Sequence, residues 1–239
     1  MPKFLQRLKP VEHNFELPLF VTIFTVAFLV AAPDARWSRY ASIFLLATSI
    51  LLSLHASEVV RGRRHVAMVV IAIGVALAAY GNSVSGAHNI RGVGELIVVF
   101  PLILAATRVV MWIGRQRVIT GQAVIGGLLV YLLIGLMFGQ IYGGIIDLSD
   151  IQFFCQHATT SASDRVYFSF ITITTTGYGD FTPCTRIGHS FAMAEAMFGQ
   201  IYLVTIIALL IGNIGRERMP RDEVEAKAKA AATKSDSPS

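Results

Sequence analysis

The chain has 239 residues, of which 54% are hydrophobic and only 15% charged, and its formal net charge is +5. A soluble domain of this size carries about a quarter charged residues, so a fold wholly surrounded by water is excluded. The six histidines (His13, His55, His65, His88, His157 and His189) are scattered, no metal-ligand spacing or Ser/His/Asp arrangement is visible, and nothing in the residue pattern points to an enzyme.

A helix needs ~20 mostly apolar residues to cross a bilayer. Six stretches qualify or nearly do: 17–32, 37–55, 65–80, 93–113, 118–146 and 187–214. Ahead of them, Phe4, Leu5, Leu8 and Val11 alternate with Lys3, Arg7 and Lys9, which suits either a short helix on the membrane surface or a solvated terminus. The first stretch with its basic flank imitates a secretory signal. Glu12 and Glu16 precede it and more spans follow, so an uncleaved helix is expected. The first and third stretches are short, whereas the fifth and sixth are long enough to tilt strongly. Gly81, Asn82, Ser83, Ser85 and Gly86 mark a turn, and Pro101 is expected to kink the fourth helix.

Fourteen of the twenty Lys and Arg residues fall before the first stretch, after the second, after the fourth and in the tail. That bias places both termini in the cytoplasm of a multi-pass protein contacting membrane lipids. It also accounts for the basic charge without a nucleic-acid partner. Only Arg36, Arg39, Arg91, Arg165 and Arg186 fall outside, and Arg108 lies within the fourth stretch. Cys155 and Cys184 both fall on the outer side, where a disulfide can form; the sequence leaves open whether they pair or remain free thiols.

Between the last two stretches lies a long segment that starts with Asp147 and Asp150 and passes through a Thr/Ser-rich loop ending at Asp164. Residues 164–174 are apolar but too short to span, which suggests a re-entrant helix. The polar backbone that follows is tolerated at membrane depth only where it is buried or lines water. On the fifth stretch, Gly135, Gly139 and Gly143 form a small-residue stripe, expected to pack against the last helix of the same or a neighbouring chain. The string Met-Phe-Gly-Gln-Ile-Tyr occurs twice, at 137–142 and 197–202, without an evident reason.

Thr175-Thr176-Gly177-Tyr178-Gly179-Asp180, directly after the short apolar segment, resembles the signature of potassium channels. The resemblance covers 118–215. It implies that K+ sheds its water onto main-chain oxygens of Thr175, Thr176, Gly177, Tyr178 and Gly179, with the Thr175 hydroxyl at the inner mouth, and that K+ is the permeant ion with no further cofactor. Gly177 and Gly179 supply backbone angles that other residues resist. Tyr178 would turn from the axis toward an aromatic cuff of Tyr167, Phe168 and Phe170, and Asp180 would accept a hydrogen bond from Tyr167. The family usually carries Val or Ile where this chain has Thr176, and some relatives carry Glu where it has Ile171. One such segment per chain implies a homotetramer.

The same resemblance makes Gly199, twenty residues beyond Gly179, a candidate gating hinge, against simple helix packing. Leu203, Ile207 and Ile211 follow at i,i+4 spacing and could form an apolar constriction or make ordinary contacts. Glu195 is an intramembrane carboxylate, expected to hydrogen-bond behind the filter rather than to ligate the ion.

The resulting expectation is an all-α membrane protein of the bacterial cell-membrane type. It has a cytoplasmic N-terminus (1–16), a four-helix bundle (17–117), a pore module with outer helix, re-entrant pore helix, filter loop and inner helix (118–215), and a short tail (216–239). Six spans with the pore last resemble the voltage-gated architecture. Yet Arg91, Arg108, Arg115 and Arg117 lack a three-residue repeat and only Arg108 lies within the span. Each moved charge contributes only ~2.3 kcal/mol per 100 mV, so voltage dependence should be weak. Glu58, Glu95 and Arg108 read as a structural network or interface anchors. A weakly selective cation channel and a non-conducting regulatory subunit remain the alternatives.

Overall fold

A computed structural model describes residues 14–57, 61–84, 86–116, 120–149, 152–156 and 160–214. They form seven helices: α1 (Glu16–Ala31), α2 (Arg36–Ala56), α3 (Arg61–Ser83), α4 (His88–Arg115), α5 (Gly121–Ser149), α6 (Ala162–Ile173) and α7 (Arg186–Ile214). The possible surface helix in the first residues, Glu58, Arg117, Asp150, the side chain of Ile211 and the tail fall outside the described residues.

Five of these helices, α2 to α5 and α7, are long and apolar enough to cross a membrane. The chain is thus a helical, multi-pass membrane protein. The expected first span is the exception: α1 has 16 residues, about 24 Å at 1.5 Å per residue, against a hydrocarbon core of ~30 Å. The fourth helix runs through Pro101 without interruption.

Consecutive helices from α1 to α5 pack side by side, and α5 also contacts α1, α6 and α7. Polar residues between α1 and α2 are paired: Thr22 meets Ser49 at 2.6 Å, and the Thr22 hydroxyl also donates to the carbonyl of Pro18. The main apolar core joins Ile50, Leu102, Val109, Leu129, Leu133 and Leu136 from α2, α4 and α5.

The short helix α6 is capped by Ser161, whose hydroxyl accepts from the amide of Asp164 while the Asp164 carboxylate accepts from the Ser161 amide. This reciprocal cap satisfies two amides that a helix start otherwise leaves open. The glycine stripe of α5 faces this helix and not α7, which corrects the sequence expectation. A Cβ at Gly135 would lie 2.7 Å from the Phe170 ring, one at Gly139 would lie 3.2 Å from Val166, and one at Gly143 would overlap the Glu95 carboxylate. The stripe lets a second helix and an ion pair lie directly on the α5 backbone.

Candidate functional site

The backbone after α6 changes hand at every residue. Thr175, Gly177 and Gly179 have φ of 57°, 49° and 81°, while Thr176 and Tyr178 stay in the ordinary negative range. A strand of uniform conformation points successive carbonyls to opposite sides; alternating hand turns them toward one side. Gly tolerates this region freely, whereas Thr175 requires support. That support is at hand: the amides of Thr176 and Gly177 both donate to the carbonyl of Ile171, at 2.9 and 3.0 Å. The carbonyls of Thr175, Thr176, Gly177 and Tyr178 accept no hydrogen bond from the described residues.

The Thr176 hydroxyl finds the Thr174 hydroxyl at 2.9 Å. Thr175 Oγ1 donates to the Thr174 carbonyl and accepts from Gln200 Nε2 of α7 at 3.3 Å. At the other end of the segment, Tyr167 Oη donates to Asp180 Oδ2 at 2.8 Å, and this bond raises the Tyr167 phenol above its usual range. Gln156 ties the exit to the preceding loop: its Nε2 donates to Thr182 Oγ1 at 2.8 Å and to the Gly179 carbonyl at 3.4 Å, and its Oε1 accepts from the Thr182 amide. Beside it, the amide of Cys155 donates to Thr182 and that of Cys184 to Phe153, and a disulfide joins Cys155 to Cys184.

Tyr178 is 73% exposed in the single chain. The aromatic cuff therefore does not close around it within one chain. Phe168 instead packs edge-on against Tyr142 and Phe154, and Phe170 is spent on Gly135. Tyr142, Phe153, Phe154 and Phe168 form an apolar block behind the segment.

Glu195 is fully buried. Its carboxyl meets Tyr142 Oη on one oxygen and Ser169 Oγ on the other, joining α7 to α5 and α6. It is sequestered in a hydrogen-bonded pocket between three helices. Gly199 stands where α7 touches the end of α6: a Cβ there would lie 2.5 Å from Ile173 Cγ1 and 2.8 Å from the Ile173 carbonyl. The helix is continuous through this position. Leu203 is half-buried and Ile207 exposed in the single chain.

Packing also joins residues that the sequence left unpaired. Arg165 of α6 binds Glu95 of α4 with both terminal nitrogens at 2.9 Å, and both side chains are about nine-tenths buried. Next to it, Arg91 of α4 grips Asp147 of α5 through two nitrogens. Tyr131 of α5 donates to the carbonyl of Ile173, satisfying one of the open groups at the end of α6. The repeated hexapeptide acquires a role as well. Gly139 and Gly199 of its two copies each admit α6, and Phe138 and Phe198 meet at 6.5 Å.

A family model described as an ion channel matches residues 128–215, which span α6, the alternating segment, all of α7 and about three quarters of α5. A protein of Methanocaldococcus jannaschii named probable potassium channel protein 2 is 49% identical over 49 residues. That match covers 19% of this chain and 14% of the relative. No solved structure matches the chain. By these matches residues 128–215 are similar to an ion channel family, and the chain spans only a small part of the relative's length.

Proposed function

We propose that the chain is one subunit of a homotetrameric, potassium-selective channel whose filter is 175–179. The observation that carries this reading is the alternating backbone hand at Thr175, Gly177 and Gly179, beside carbonyl oxygens left without donors. An unpaired carbonyl at membrane depth is costly unless water or an ion serves it. Four copies around one axis supply rings of oxygens that replace the hydration shell of K+. The carboxyl end of α6 leads into the segment, and its partial negative charge favours a cation nearby.

Oligomer formation also answers an exposure problem. Met193, Met197, Ile201 and Val204 of α7 are more than half exposed in one chain, as is Tyr178. In a tetramer these side chains face neighbouring subunits or the pore, and Tyr178 acquires its packing across a subunit boundary. The basic residues place both termini in the cytoplasm and the disulfide outside. With Arg108 as the lone arginine deep in α4, gating by voltage is weak.

Liposomes loaded with purified protein test the proposal. Outward K+ gradients should drive flux that barium blocks, Na+ should substitute poorly, and Gly177→Ala should abolish the flux. Equal passage of Na+ and K+ would leave a weakly selective cation pore, and absence of flux from a folded tetramer a regulatory subunit.

A further inference from the structure

Four of the five arginines expected on the outer side converge on one place. Arg36, Arg39 and Arg91 line a polar pocket bounded by the start of α2, the end of α3 and the start of α4, together with His88 and no acidic side chain. That pocket shares Arg39, Asn82 and Arg91 with a second cavity of about 140 Å³, to which Asp34, Glu95 and Arg165 also contribute. The second cavity continues inward between α2, α3 and α4 along Leu46, Ile50, Ile71, Val75 and Val98. From Arg39 to Ile50 the helix descends about 16 Å, roughly half of the ~30 Å hydrocarbon core, or one leaflet.

The arginines keep donors to spare. Asp34 stands 4.0 Å from Arg39, with both groups exposed. Asp147 occupies two nitrogens of Arg91, and Glu95 occupies the terminal nitrogens of Arg165. Arg165 Nε is buried without a partner. A guanidinium has five N–H donors in a rigid fork, so one bound on one edge still presents others to a phosphate.

We propose that the adjoining pockets hold an anionic phospholipid of the outer leaflet, with its phosphate among Arg36, Arg39 and Arg91 and an acyl chain entering the apolar cavity. Arginines serving only as interface anchors need not converge, and a bare anion has no use for an apolar chamber one leaflet deep. The site lies in the first four helices and α6, and its occupancy does not depend on conduction through 175–179.

The test uses the whole chain in detergent. Trp112→Phe leaves Trp37, beside Arg36, as the single tryptophan fluorophore. Phosphatidylglycerol brominated on its acyl chains should quench Trp37 at a severalfold lower mole fraction than brominated phosphatidylcholine. Arg36→Gln and Arg39→Gln should each weaken the phosphatidylglycerol effect about fivefold. Ala47→Phe, which fills the cavity, should remove the preference while helix content and elution volume stay unchanged. Equal quenching by the two lipids overturns the proposal, as does a preference that survives the double Gln variant. Displacement by inorganic phosphate together with an unaffected Ala47→Phe variant overturns it too, because the site then takes a free anion.

Discussion

Ser169 has one hydroxyl proton and two acceptors, the Gly135 carbonyl at 2.7 Å and Glu195. If that proton goes to Gly135, the contact with Glu195 needs a proton from the carboxyl itself. Glutamine supplies such a donor on one atom and an acceptor for Tyr142 on the other. Glu195→Gln should therefore leave thermal stability of the detergent-solubilised protein nearly unchanged. Glu195→Ala strands the buried Tyr142 hydroxyl and leaves Ser169 with the Gly135 carbonyl alone, and should cost about 1–3 kcal/mol, read as a lowered unfolding midpoint. Equal damage from both variants would show that the carboxylate charge matters and the hydrogen-bond pattern does not. Glu195 stood out in the sequence because a carboxylate in an apolar helix demands a reason. Its partners did not, since Tyr142 and Ser169 become neighbours only when three helices pack.

Among the elements, helix positions were legible and helix partners were not. Apolar stretches announce spans because the bilayer imposes their length, and the short apolar segment from Asp164 marked α6, whose cap at Ser161 sets its start two residues earlier. Backbone alternation at 175–179 was legible too, since two glycines and their spacing act locally. Which face of α5 receives α6 depends on long-range packing, so the glycine stripe was matched with the wrong helix. The same limit hid the pairing of Glu95 with Arg165, which stand 70 positions apart in the sequence. Removing one partner strands a buried charge, so Glu95→Gln should destabilise the protein by about 3–5 kcal/mol. Combining Glu95→Leu with Arg165→Met should recover most of that loss. A double-mutant cycle on the unfolding midpoint measures the coupling, and simple additivity would mean the pair is not linked.

At the scale of the molecule, the loops around 175–184 are held by few residues. The Cys155–Cys184 bridge closes a 29-residue separation that contains all of α6 and the alternating segment. By loop entropy such a crosslink contributes about 3–4 kcal/mol. Cys155→Ser with Cys184→Ser should lower the unfolding midpoint and shorten the life of the proposed tetramer on a denaturing gel. An unchanged midpoint would assign the loop's order to Gln156 and the aromatic block alone.

The two ionic grips on α4 have a mechanical consequence. Arg91 is fastened to α5, and Glu95, one turn further on, is fastened to α6. Sliding α4 along its axis by a single turn would tear both pairs from buried surroundings at once. Such a helix is a strut and not a piston: it can push or tilt the short helix leading into 175–179 as a rigid unit, but it cannot travel past it. A displacement of the first four helices is thus passed directly to the amino-terminal end of α6, ahead of 175–179.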